Sequence, residues 1–411
     1  MSRAALILLS LLAGLLTGVA LAALSPDAAA SATLVAEPIG NAWLSGLQMT
    51  VIPLVTALIV TGVAQTAEAA SAGKVAGRAI ALFITAVFVT GTIAAAVTPL
   101  ILALAPVPAE AAASLRAALQ GAIPVAAPPP LAEFFRTLVP TNVFAAASNN
   151  AFLSLIIFTL AFAFAVTRLD PEARGRITGL FAAVRDAMLV LVEWILRLAF
   201  AGVFALALVV GARAGGAAFG ALIHYVAVVA SVGVVIIALS YVLALVGGRI
   251  GPARFARAIL PAQAVAASTQ SSLATLPAML TAAEGLRVPE RVAGVTVPVG
   301  VAMFRATQPA MNVAIAIYIA HWFGYPLELA NVAAAVAVGA IVSLGSVSLP
   351  AQITYFASIA PVCAALGVPI APLGLLIAVE TIPDIFRTIG NVSMNLAATA
   401  TVSARTPIDA E

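Results

Sequence analysis

Five polar side chains interrupt the apolar run from Val379 to Thr401: Glu380, Asp384, Arg387, Asn391 and Asn395. Their spacings of four, three, four and four residues hold them within one narrow stripe of a helix, because each residue advances the helix by about 100°. A guanidinium binds carboxylates, and two nearby carboxylates can hold a proton or meet an ammonium group. An ionised side chain at the centre of a membrane helix costs about 2.5–3.5 kcal/mol even on the lenient scale, so three on one stripe require a polar interior to face. Two readings follow from the residues: the stripe handles substrate or ions, or Asp384 and Arg387 form an internal ion pair that only locks two helices together.

The elements that must carry this stripe are membrane helices. Of 411 residues 63% are hydrophobic and 9% charged, with strongly positive mean hydropathy, whereas a soluble globule carries about 25% charged residues. A β-barrel would show apolar and polar residues alternating over segments of about 10 residues. Runs such as Ala4 to Leu24 are instead apolar on all sides. The net charge of +3 comes from basic residues scattered between apolar segments, without the aromatic interleaving that reads nucleic acid. The single cysteine, Cys363, permits no internal disulfide and lies among apolar residues, as a packing residue. His224 reads as a helix residue satisfied by a neighbour, and His321 with Trp322 as an anchor where a helix meets the membrane interface.

In chain order, Ala4 to Leu24 is a first span, without a convincing signal-peptide cleavage site. A polar loop carrying Asp27 and Glu37 is expected before a second span from about Asn41 to Gln65. A third runs from about Ala79 to Leu104. The Ala/Pro-rich segment Pro106 to Pro130 reads as an irregular surface connection, followed by a fourth span, Asn142 to Val166. A charged turn from Arg168 to Arg176 leads into a long helix ending near Val210, and a sixth span covers Ala217 to Val246. With the amino terminus inside, Arg3, Lys74, Arg78, Arg168, Arg174, Arg176, Arg249, Arg254, Arg257, Arg287, Arg291 and Arg405 fall on the cytoplasmic side. Arg116, Arg136 and Arg213 fall outside. That asymmetry fits the positive-inside rule with both termini cytoplasmic in a multi-pass inner-membrane protein.

The last third is interrupted differently. Between Arg257 and Arg287 the apolar material is too short to cross twice and is broken by Ser268, Thr269, Gln270, Ser271, Ser272 and Pro277. Ser343 to Pro350 breaks the run from Asn331 to Pro369 in a similar way. Both read as re-entrant hairpins, which survive at membrane depth only where protein or water satisfies their backbone groups, and two of them point to a central binding site. Such Ser/Gly-rich positions also serve plain helix packing.

These pieces, in this order, resemble the dicarboxylate/amino acid:cation symporters, the glutamate-transporter superfamily. The matching motifs are Leu47-Gln48-Met49 with Ile52-Pro53-Leu54-Val55, Val139-Pro140-Thr141-Asn142-Val143-Phe144, and Ser271-Ser272-Leu273-Ala274-Thr275-Leu276-Pro277. Thr296-Val297-Pro298-Val299-Gly300, Gly345 to Pro350, and Asp384-Ile385-Phe386-Arg387-Thr388 complete the set. The resemblance implies an all-α membrane protein of eight transmembrane helices and two re-entrant hairpins, assembled as a homotrimer in the lipid bilayer and working by an elevator movement. Residues 1–78 and 131–213 would be mainly scaffold, and 79–130 and 214–411 the transport domain. It also implies that Arg387 takes the distal carboxylate of an acidic substrate and Asp384 its amino group. Asn391, Ser271 and Ser272 would contact the main-chain carboxylate and nearby groups, with Thr388, Gln308, Ser348 and Leu349 beside them. The second hairpin, Gly345 to Ala351, would be the gate.

The departures from the family pattern fall where sodium should sit. In place of Asn-Met-Asp-Gly-Thr stands Phe304-Arg305-Ala306-Thr307-Gln308, Asn395 replaces an expected Asp, and the third-span ligands fall on Phe83, Ala86 and Val87. Hard cations want several oxygen ligands, so no metal site is expected. Arg305 could replace bound cations or could be a structural partner of Glu380 or Asp384. Within the core Glu380 and Asp384 balance Arg305 and Arg387, and a net-anionic substrate needs a compensating charge. A proton on Glu380 or Asp384 is the economical coupling ion, with Arg305, Glu380 and Asn395 the coupling and charge-compensation residues; sodium at atypical sites is the alternative.

The expectation is therefore a symporter of acidic amino acids or dicarboxylates, without cofactor. The retained Asp384 leans it towards an amino acid, and Gln308 and Arg305 pull against that lean. An intramembrane hydrolase fits poorly, since the single lysine, Lys74, stands at a membrane edge and neither histidine has a partner motif. An uncoupled carrier or anion channel on the same scaffold is the other alternative.

Overall fold

The computed structural model describes residues 3–71, 73–107, 139–149, 151–345 and 351–406. Among them every regular element is a helix. Most of the Pro106 to Pro130 connection, Arg116, Arg136, Ser348 and Leu349 lie outside the described residues.

Helix α1 spans Arg3–Leu24, α2 Pro26–Gln48, α3 Val51–Ser71 and α4 Lys74–Leu104. The expected loop at Asp27 and Glu37 is instead helical. Ser25 accepts a hydrogen bond from Ala28 N and Pro26 opens the helix, the N-cap and N1 pairing that starts helices readily. The second span is therefore a longer run, interrupted only around Met49 and Thr50. The fourth span is also broken: α5 (Val143–Ser148) is capped by Asn142, and α6 (Phe152–Val166) follows.

The long fifth helix is two, α7 (Pro171–Arg197) and α8 (Ala199–Ala214), bent by 58°. Trp43 of α2 holds that bend. Its indole N–H donates to Ile195 O at 3.1 Å, and its ring lies so close to Gly202 that a Cβ there would come within 2.2 Å of it. Close approach also joins α1 to α8, where a Cβ on Gly18 would sit 2.2 Å from Leu208 O. Small residues at helix crossings are how membrane helices gain contact when lipid is as apolar as their side chains.

Helix α9 (Ala217–Val246) follows. The first hairpin consists of α10 (Pro252–Thr269) and α11 (Leu276–Gly285), turned at Gln270, whose φ is +51°. Next come α12 (Glu290–Met303) and α13 (Thr307–Phe323). The second hairpin's arms are α14 (Leu329–Gly345) and α15 (Ala351–Leu366), followed by α16 (Leu373–Leu376) and α17 (Thr381–Ala404).

Two large apolar clusters organise the helices. One joins α1–α3, the end of α4 at Leu102, α6–α9 and α13–α16; the other joins α4, α9–α13, α14 at Ala340 and α17. Among the described residues, four runs are long and apolar enough to cross a membrane: Ala5–Leu24, Pro26–Ala70, Lys74–Leu104 and Ala218–Val246; the bent α7/α8 pair makes a fifth if counted as one span. Trp322 corrects its expected anchoring role: it is 1% exposed and packs edge-on against Tyr318. His224 is satisfied by Tyr318 Oη and Ala105 O, at 3.1 and 2.8 Å, and Cys363 is buried.

Candidate functional site

The site forms where α17 passes the turn of the first hairpin and the break between α12 and α13. Pro309 lies in the first turn of α13 and has no N–H to offer Arg305 O, so an unbroken helix through this segment would lose a bond and crowd that carbonyl. The chain opens at Phe304 to Ala306 instead. Partners from other helices satisfy the exposed backbone: Thr307 N donates to Asn391 Oδ1 at 2.9 Å, and Thr90 Oγ1 donates to Ala306 O at 2.7 Å. This is the condition under which non-helical backbone is tolerated inside a membrane protein. The break leaves the N-terminus of α13 at the site, where its dipole favours negative charge.

Of the five stripe residues, Asp384, Arg387 and Asn391 reach one cavity. Asp384, Arg387, Thr388 and Asn391 are buried and line it with Gln270, Ser271, Ser272, Arg305, Gln308, Thr354, Tyr355 and Ser358. The cavity measures about 30 Å³, room for water and not for a dicarboxylate in this arrangement. Arg387 Nη1 is ion-paired with Glu380 and lies 3.4 Å from Asp384 Oδ1. Its Nε and Nη2 have no hydrogen-bond partner among the described residues. Arg305, rooted in the break and 8% exposed, also leaves Nη2 without one.

Glu380 is fully buried behind Arg387 and does not line the cavity. Its Oε2 accepts from Tyr225 Oη at 3.5 Å, and Tyr225 Oη lies 3.2 Å from Tyr355 Oη. A chain of hydroxyls therefore connects Glu380 to Tyr355 at the cavity wall. Asn395 also stands away from the cavity, donating to Val297 O at 3.2 Å. Gln270, whose Nε2 donates to Thr381 O, and Thr354, Tyr355 and Ser358 were not foreseen among the site residues. The four-residue spacing of Thr354 and Ser358 on an apolar helix is the signal that marks them.

Five of the positions that the resemblance assigns to the cation-ligand segments are apolar and packed together. Phe83, Ala86, Val87, Phe304 and Ala306 are all buried in the second cluster, and the rings of Phe83 and Phe304 stack with centroids 4.3 Å apart and planes 12° apart. Among the described residues no three of His, Cys, Asp and Glu gather as a metal site.

The model of the sodium:dicarboxylate symporter family matches residues 4–405. The chain belongs to that family. Among its relatives, a proton/sodium-glutamate symport protein of Bacillus subtilis (strain 168) is 26% identical over 381 residues, 89% of this chain and 85% of the relative. A C4-dicarboxylate transport protein, number 2 of Ralstonia nicotianae (strain ATCC BAA-1114 / GMI1000), is 27% identical over 407 residues, 96% of this chain and 87% of the relative. As a family member the chain is a multi-pass membrane transport protein, and the cavity under α17 is the candidate place where a small anion meets the symporter.

Proposed function

We propose that this symporter moves a small carboxylate, a dicarboxylate or an acidic amino acid, and couples its movement to protons rather than to sodium. The observation that carries the proposal is the charge arrangement. Two buried carboxylates, Glu380 and Asp384, stand with two buried guanidiniums, Arg305 and Arg387, and two residues that the resemblance aligns with cation ligands, Phe83 and Phe304, are stacked phenyl rings. A chamber that is neutral before its substrate arrives becomes negative when an anion enters, and uncompensated charge in low dielectric is costly. Protonation of Glu380 offsets one charge and frees Arg387 from its strongest internal partner. The hydroxyls of Tyr225 and Tyr355 offer the path.

In the same reading the protein is a homotrimer of eight-span protomers in the cytoplasmic membrane, with both termini inside. Residues 79–130 and 214–411 slide as an elevator against the scaffold of 1–78 and 131–213. Gly345 to Ala351 gates the site, and Ser348 and Leu349 belong to its substrate contacts. A second reading, sodium coupling at atypical sites, is favoured by the names of the B. subtilis relative and of the family. Proteoliposomes separate the two. Proton coupling predicts that an inward proton gradient accelerates uptake of labelled succinate or glutamate, whereas a sodium gradient at fixed pH does not. Acceleration by sodium alone overturns it.

A further inference from the structure

We infer that Arg305 is a second carboxylate fork, so that the site selects a ligand with two carboxylates and no ammonium group. The inference rests on the carrier reading above and narrows its substrate. Arg387 spends Nη1 on Glu380 and Asp384, and its Nε and Nη2 have no hydrogen-bond partner among the described residues. Those two nitrogens carry the parallel N–H bonds of the guanidinium edge that grips a carboxylate bidentately. Arg305 faces the same cavity from the α12/α13 break, more than nine-tenths buried, with Nη2 open. A guanidinium placed only as a strut would direct its donors to protein acceptors, because buried unsatisfied donors are costly. The open edge of Arg387 and the open Nη2 of Arg305 on one cavity suit a molecule with an anionic group at each end once that cavity, about 30 Å³ in this arrangement, widens.

Asp384 decides against the ammonium. In an amino acid site this carboxylate would meet the amino group, but here it lies 3.4 Å from Arg387 Nη1 and within electrostatic reach of Arg305. An ammonium entering beside it would have two guanidiniums as neighbours and a carboxylate already balanced by them. The remaining wall groups, among them Ser271, Ser272, Thr354 and Ser358, are neutral and suit carbon chains or hydroxyls between the carboxylates.

Ligand ranking on the purified full-length protein in detergent tests this, using succinate, L-aspartate and butyrate as probes in calorimetry at fixed pH. Wild-type protein is expected to bind succinate at least about 10-fold tighter than L-aspartate and about 100-fold tighter than butyrate, the scale of one lost charge-assisted contact. Arg305→Gln should weaken succinate by about 10- to 100-fold and bring it close to L-aspartate, while Arg305→Lys, which keeps charge without the fork, should fall between. Unchanged succinate affinity in Arg305→Gln overturns the inference. So does L-aspartate binding as tightly as succinate in the wild type, an outcome that leaves the carrier reading intact. If no dianion or amino acid binds, both readings fail. Should Arg305→Gln not fold, the wild-type ranking alone decides.

Discussion

The proposed proton coupling turns on Glu380. It is the most enclosed carboxylate of the stripe, ion-paired to Arg387 on one side and reached by Tyr225 on the other. Glu380→Gln removes a group that can gain or lose a proton while keeping shape. The variant is expected to lose acceleration by an inward proton gradient and to retain exchange of internal for external substrate, as measured by counterflow in proteoliposomes. Gradient-driven uptake at wild-type rate would remove Glu380 from the coupling scheme. The stripe itself was legible in the sequence because charges inside an apolar run are costly and therefore rare. Tyr225 and Tyr355 were not legible, since an aromatic in an apolar helix reads the same whether its hydroxyl packs or relays. The engagement of Arg387 by Glu380, seven residues earlier, is a rotamer choice that spacing permits without requiring.

At the scale of elements, the breaks position the chemistry. The α12/α13 opening presents Arg305 and a helix N-terminus to the cavity, and the local cue was Pro309, which removes a donor from the first turn of α13. Asp27 and Glu37 read as a loop because charge outweighed the Ser25-Pro26 start signal; the ion pair of Glu37 with Arg213, at 2.6 Å, shows how α2 accommodates one of them. The α7/α8 bend depends on Trp43 and Gly202, two residues 159 positions apart, and no local pattern announces such a contact. Close helix approach makes its own prediction at Gly18. Gly18→Leu forces a side chain into Leu208 O, so α1 must move away from α8, at a cost of about 1–3 kcal/mol or more. A melting midpoint several degrees lower in detergent is expected, and an unchanged midpoint would contradict the contact.

For the whole molecule, the two apolar clusters meet through α9 and α13, and the orientation proposed from the basic residues assigns their ends to sides of the membrane. Because Cys363 is buried, it is shielded from a membrane-impermeant reagent, and single cysteines added to the native chain serve for topology mapping. Cysteines at Lys74 and Arg254 are expected to react with a membrane-impermeant reagent only from inside the cell, and one at Gly216 only from outside. Labelling of all three from one side would invert or abolish the proposed topology. Family membership was readable from motif order because Ser271–Pro277, Thr296–Gly300 and Asp384–Thr388 keep a fixed sequence along the chain. The exact ends of spans were less readable, since the short polar breaks at Asn149 and at Gln48 to Thr50 lie inside runs that otherwise read as single spans.

In the proposed function this chamber trades sodium for a guanidinium and a proton. Succinate binding to purified protein, followed calorimetrically in two buffers of different ionisation enthalpy, with and without sodium at constant ionic strength, tests it most directly. By linkage, a coupling ion must tighten substrate binding as the substrate tightens its own. The account predicts proton uptake on binding and an affinity that sodium changes by less than about 2-fold, a coupling below the usual 5- to 150-fold range. Tightening of about 10-fold or more by sodium, without proton uptake, would contradict it.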